Sequence, residues 1–168
     1  MLLKKTLLVS ALLALGGIAF SSMAATTLTG PSFQVKIKVN NTCDVTNMTA
    51  GDIDFGTHDF NDGTVTQTST IAVKCTNGNI FKIGLNEGAN AGTASDTTTR
   101  RMTDGTHYIA YDLLQAAGGA HWGNTATDSL PATGDGTLQT YTVHGTATLD
   151  GTEPAGDYTD TVIASVTF

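Results

Sequence analysis

The sequence predicts an all-β fold, an antiparallel sandwich, and three observations carry that prediction. Thr fills 31 of the 168 positions, Glu occurs only at Glu87 and Glu153, and 14% of residues are charged, a composition that favours strands and is poor for helices. Short apolar alternations recur along the chain with turn signals between them. No stretch keeps a 3.6-residue period with caps.

The first segment is expected to be an address. Residues 1–24 open with Lys4-Lys5, continue through an apolar run from Leu7 to Phe20, and end at Ser22-Met23-Ala24. A basic start, about fourteen mostly apolar residues and small residues at the −3 and −1 positions make a secretory signal peptide with cleavage after Ala24. A spanning helix needs about 20 apolar residues, and the chain turns polar past Phe20. Export changes the meaning of Cys43 and Cys75, the two cysteines, because an oxidising compartment favours a bridge between them. The chain-entropy relation assigns such a 31-residue loop about 3.7 kcal/mol. A redox or zinc site would need CxxC spacing or a nearby His pair, and the sequence has neither.

The strands follow in order. Residues 33–40 alternate apolar and polar through Phe33, Val35, Ile37 and Val39, the cleanest β signal in the chain. A short strand is expected around 43–45. Further strands are expected at 52–55, 69–75, 80–85 (Phe81, Ile83 and Leu85 on one face), 107–115, 139–149 and 158–168. Asn61-Asp62-Gly63, Asn77-Gly78, Asp104-Gly105, Gly134-Asp135-Gly136 and Asp150-Gly151 mark the turns between them. Seven or eight short strands in about 140 residues indicate one sandwich of immunoglobulin-like type. Its two ends are informative. The final strand presents Tyr158, Val162, Ala164, Val166 and Phe168 on one face and leaves an edge that needs cover. The first strand, equally regular, is available to give it. Periodicity alone allows pairing within the chain or exchange between subunits.

Charge and motifs narrow the function classes. Past residue 24 there are 6 basic and 15 acidic residues, a net charge of −9, so no nucleic-acid partner is expected, because phosphate contacts need clustered Lys and Arg. Asp-Gly-Thr occurs at 62–64, 104–106, 135–137 and 150–152, without a fixed interval and without an EF-hand loop. Turns account for it, with weak Ca²⁺ binding left open. His58, His107, His121 and His144 show no metal-ligand spacing, so no metal or cofactor is expected. No GxSxG motif occurs, neither cysteine is expected to be free, and no motif selects a pair among 13 Asp, so no catalytic residue is assigned. Trp122 is expected in the core rather than exposed in a loop.

Several stretches then line up with a known family. They are Ile53-Asp54-Phe55-Gly56, Val73-Lys74-Cys75-Thr76-Asn77-Gly78, Arg101-Met102 and Tyr108-Ile109-Ala110-Tyr111-Asp112-Leu113-Leu114. Trp122-Gly123, Tyr141-Thr142-Val143-His144-Gly145 and the closing Pro154-Ala155-Gly156-Asp157-Tyr158-Thr159-Asp160-Thr161-Val162 complete the series. In order and over nearly the whole chain past residue 24, they resemble the spore coat protein U domain of archaic chaperone–usher pilus subunits. The resemblance implies an incomplete immunoglobulin-like sandwich completed by a donor strand. It implies that a periplasmic chaperone lends that strand first, and that an outer-membrane usher replaces it with the N-terminal segment of a neighbouring subunit, in a homo-polymer or a mixed fibre. Carried onto this chain, residues 25–40 form the donor segment, with Phe33, Val35, Ile37 and Val39 as donor residues, and 41–168 form the domain. The acceptor groove is bordered by the strand around Cys43 and by the final strand, with Val162, Ala164, Val166 and Phe168. The implied function is a secreted surface pilus supporting adhesion and biofilm formation. The alternatives are a spore or cell-surface coat protein and a monomeric ligand-binding sandwich.

Overall fold

A computed structural model describes residues 25–168; the expected signal segment, 1–24, lies outside the described residues. The chain divides into two units, Met1–Ile37 and Lys38–Phe168. In the first, residues 25–37 carry no assigned secondary structure and are exposed throughout. The second holds eight strands: β1 (Cys43–Ala50), β2 (Gly63–Cys75), β3 (Ile80–Leu85), β4 (Arg101–Thr103), β5 (Tyr108–Leu114), β6 (Leu130–Thr133), β7 (Leu138–Leu149) and β8 (Ala164–Thr167). One short 3-10 turn, Thr97–Thr99, is capped by the Asp96 side chain.

The strands form two sheets, ordered β1-β2-β7-β5-β4 and β6-β3-β8, and every pairing is antiparallel. The larger sheet is organised by the ladder of β2 and β7, unbroken from Gly63↔Leu149 to Lys74↔Leu138. Alternation sets its faces: Ile71, Val73 and Val143 point inward and are buried, whereas Thr64, Thr66, Thr68, Thr70, Thr142 and Thr148 are exposed. From the smaller sheet, Phe81, Ile83 and Leu85 join those residues in one buried cluster, as the 80–85 pattern predicts. Phe81 meets Tyr141 edge-on across the sheets, with centroids 6.2 Å apart.

Residues 121–123 stitch the two sheets together. Trp122 N donates to Leu113 O of β5 at 2.7 Å, and Leu85 N of β3 donates to Gly123 O at 2.9 Å. The Trp122 ring is fully buried, with its Nε1 donating to Ile83 O at 2.8 Å, so the core reading of this residue is the one the structure adopts. Beside it lies Arg100, equally buried. Its guanidinium donates to the carbonyls of Leu85, Asn86 and Trp122, and Nη1 is 3.9 Å from Asp112 Oδ1. Burial lowers the Arg100 pKa; three carbonyls satisfy Nε and Nη2, whereas Nη1 is buried without a hydrogen-bond partner among the described residues and faces Asp112.

Three expectations are modified. Residues 33–40 form no strand, because alternation records which side chains share a face and a strand also needs a ladder neighbour. Residues 52–55 are not a strand either. The ladder runs out at Gly51 N→Thr70 O, after which Asp54 O accepts the Gln67 amide and Ile53 and Phe55 close over Gly145 of β7. Of 158–168, only Ala164–Thr167 is strand. Upstream, Asp160 turns inward and takes hydrogen bonds from Ala89 N, Asn90 N, Asn90 Nδ2 and the Tyr111 hydroxyl, the last at 2.7 Å. Burial first, and then that bond, pushes the Tyr111 pKa up. Gly88 makes this approach possible: its φ is +81°, and a Cβ there would lie 2.0 Å from Asp160 Oδ2. The strands β4 and β6 were not expected. Both are short, and β6 carries Pro131, which suits an edge position.

Three of the Asp-Gly-Thr tripeptides lie in turns or loops, and the one at 62–64 leads from a turn into β2. Gly63, Gly105, Gly136 and Gly151 all have positive φ. Asp104, Asp135 and Asp150 each accept the N–H of the Thr two residues on. Hydrogen bonds hold these carboxylate pKa values below the ordinary range. That of Asp104 lies at about 2 through the His107 backbone bond first, then the His107 side chain and the Thr106 N–H. That of Asp135 is lowered through the Thr137 N–H first, and that of Asp150 through the Thr152 hydroxyl first, then its N–H.

Two outcomes follow from this packing. Trp122→Ala removes a buried indole and its bond to β3, and chemical denaturation should show a loss of about 3–5 kcal/mol. The turn carboxylates have folded pKa values below their unfolded ones, so their contribution is present above about pH 4 and lost as pH falls toward 2. The thermal midpoint should drop across that window, and Asp104→Asn should show a shallower drop. His58 acts in the opposite sense: its pKa is raised first by Asp62 and then by Phe55 O, so its contribution is present below about pH 6.5 and lost at higher pH.

Candidate functional site

The site is the side of the domain where both sheets end in a strand with one free edge. β1 pairs only with β2, and β8 only with β3, among the described residues. The two edge strands approach each other across the sandwich without pairing. The consequence is visible in neighbouring residues of the same ladder. Ile83 and Leu85 on β3, flanked by strands on both sides, are 0% and 3% exposed. Their partners Val166 and Ala164 on β8 face the same core and remain only half-buried. Val162, just upstream, packs on the core in the same half-buried state.

The local sequence accounts for this face. From Tyr158 to Val166, even-numbered residues are half-buried and odd-numbered ones are exposed. Asn86 anchors the approach to β8: its N–H donates to Ile163 O at 3.0 Å, and its Oδ1 accepts Ile163 N at 2.7 Å. Phe168 lies past the last rung, Lys82↔Thr167, and is 58% exposed, so the structure groups Val162, Ala164 and Val166 but leaves Phe168 outside the packed set. On the opposite border, Cys43 and Cys75 are directly opposite in the β1–β2 ladder and joined by a disulfide with S–S 2.06 Å. The bridge staples the start of the edge strand to the sheet. Farther along β1 the register shifts between Asp44 and Thr49, and Met48 packs half-buried on the core.

The sequence-assigned donor residues stand fully presented. Phe33, Val35, Ile37 and Val39 are 86%, 88%, 91% and 74% exposed, with Lys36 and Lys38 between them. Sequence reasoning missed Asp160, Gly88 and Arg100 as the residues that shape this region. For Asp160 a signal existed: a carboxylate falls on the inward phase between Tyr158 and Val162, where an apolar residue is expected unless a polar network receives it.

The arrangement has relatives. The Spore Coat Protein U domain family matches residues 29–165. "Protein U" of Myxococcus xanthus is 31% identical over 163 residues, spanning 90% of each chain. Among solved structures, the CsuC–CsuE chaperone–tip adhesion subunit pre-assembly complex from archaic chaperone–usher Csu pili of Acinetobacter baumannii contains a similar chain. That similarity has a TM-score of 0.56 at 27% identity and covers 77% of this chain and 40% of that one. The larger sheet, the disulfide at the first strand and the GDYTDTV segment all sit within the matched region, and the chain belongs to the Spore Coat Protein U domain family.

Proposed function

We propose that this protein is a structural subunit of a chaperone–usher surface pilus and polymerises by donor-strand exchange. The observation that carries the reading is the half-burial of Ala164 and Val166 opposite fully buried Leu85 and Ile83. An inward apolar face on an edge strand lacks one neighbour, and an exposed alternating segment with the matching period supplies it. In this reading Phe33, Val35, Ile37 and Val39 of one subunit fill the groove bordered by β1, Val162, Ala164, Val166 and Phe168 of another. Seven residues of strand reach about 23 Å, the length of a sandwich. Burying four apolar side chains stabilises the pair by about 6–12 kcal/mol before entropy costs.

Charge favours the same pairing. All 15 acidic residues lie in 41–168 beside only four basic ones, whereas 25–40 carries Lys36 and Lys38 and no acid. Because donor and acceptor are different surfaces, the contact is heterologous and propagates a filament instead of closing a dimer. The likeness to a chain of a chaperone–subunit pre-assembly complex supports a periplasmic chaperone as the first strand donor. An outer-membrane usher, release of 1–24 on export, and service at the bacterial surface in adhesion and biofilm complete the proposal. Its role is structural, not catalytic. A second reading, a coat protein on a spore or cell surface, is favoured by the family's description and by the 31% identity with Protein U.

The deciding experiment is chemical denaturation of the exported chain lacking residues 25–39, with and without a peptide of residues 32–40. Marginal stability that the peptide raises strongly is the expected result. An equal, high midpoint in both conditions would remove the strand-exchange reading. In the complete chain, replacing Val35 and Ile37 with Asp should abolish polymerisation while export continues. Fibres of normal length from that variant would show that these residues are not the donors.

A further inference from the structure

The donor segment precedes β1 by only a few residues, and β1 borders the groove, so a chain able to exchange strands also faces a competing outcome: folding its own segment back into its own groove. Resting on the strand-exchange reading, the geometry points to Thr76 as the residue that denies this self-completion by holding residues 40–42 extended.

The contacts are specific. Thr76 N donates to Thr42 O at 2.9 Å, continuing the β1–β2 ladder one rung past the Cys43↔Cys75 pair. The Thr76 hydroxyl accepts Thr42 N at 3.1 Å and shares its proton between Thr42 O at 3.2 Å and Asn40 O at 3.3 Å. In an extended chain, successive residues turn their backbone polar groups to opposite sides. Residues 40 and 42 therefore both address Thr76, and the stretch between Val39 and Cys43 has no reversal.

Self-completion requires one there. Cys43 is buried and faces inward. Facing residues in a ladder share a side, so the apolar donor residues reach the core only if an odd-numbered one stands opposite Cys43. With Val39 opposite, 40–42 become a three-residue loop; with Ile37 opposite, 38–42 become a five-residue loop. In either case Asn40 and Thr42 leave the extended conformation and surrender the bonds to Thr76. A two-residue turn at Asn40-Asn41 fails as well, since it would need the polar groups of Thr42 to face the open edge, and they face Thr76. Thr76 is thus a positioning residue that selects a second copy over the chain's own segment.

The test uses the complete exported chain, residues 25–168, refolded with its disulfide and without chaperone. Wild type, Thr76→Val and Thr76→Ser are separated by size-exclusion chromatography, and each is offered a fluorescent peptide of residues 32–40. Loss of the hydroxyl in Thr76→Val should raise the ratio of monomer to polymer about three- to tenfold. That monomer should refuse the peptide, while Thr76→Ser behaves as wild type. An unchanged ratio in Thr76→Val overturns the inference. Should Thr76→Val fail to fold, a Gly-Ser-Gly-Ser insertion after Val39 decides, because it offers slack upstream of the clamp. A monomer that refuses peptide supports the clamp, and wild-type polymerisation overturns it. A wild-type chain that neither polymerises nor takes up peptide refutes strand exchange itself, an outcome distinct from a polymerising Thr76→Val.

Discussion

A β-strand with neighbours on both edges seals its inward apolar face more fully than an edge strand does, and this domain is organised around an edge that lacks such a neighbour. β3 satisfies it, and Ile83 and Leu85 are sealed. β8, one strand over, does not, and Val166 and Ala164 stay half-open although they project into the same core. Everything proposed for the protein depends on that difference between adjacent strands. In the strand-exchange reading proposed above, this edge is where a strand of matching period would bind, with apolar burial supplying stability and ladder bonds supplying direction.

An incomplete sandwich must still be definite enough to present its groove. Four features provide this, two away from the open side and two at its borders. The β2–β7 ladder gives the larger sheet a long, uninterrupted register. Trp122 and Arg100 join the sheets through the carbonyls of β3 and the main chain of β5, where three carbonyls accepting from Nε and Nη2 help the buried cation to be tolerated. Asp160 collects the 88–90 loop and Tyr111 at the point where the final segment enters the groove region, and the disulfide secures the other border. The groove is thereby framed by covalent and buried polar contacts, while its floor remains apolar and uncovered.

The outer surface follows a different logic. Threonines alternate along β2 and β7, and turn carboxylates bond to neighbouring N–H groups. Such a surface is polar and negatively charged. The basic residues of 25–40 contrast with it, a charge difference that would favour approach between copies in the strand-exchange reading.

Much of this was legible before any coordinates. Period-2 alternation is written by local backbone geometry, so the inward residues of β2, β3, β7 and β8 could be read directly, as could the Asp-Gly turns, where only glycine relaxes a positive φ. The pairing of Cys43 with Cys75 followed from there being one pair. What alternation does not contain is whether a strand has a neighbour, since that depends on residues far away in sequence. Hence 33–40 and 52–55 carry strand patterns yet no ladder, and 158–163 yields its pairing to the polar network of Asp160. The short strands β4 and β6 offer too few residues for a period and exist only because β5 and β3 provide their ladders. Thr76 is the sharpest case: one hydroxyl in a turn-rich stretch has no sequence signature, and its role arises from the register that brings residues 40 and 42 to its side. Sequence by itself determined which faces are apolar, because that is local sterics; tertiary structure decided which of them are covered, because cover is a hydrogen-bonded neighbour.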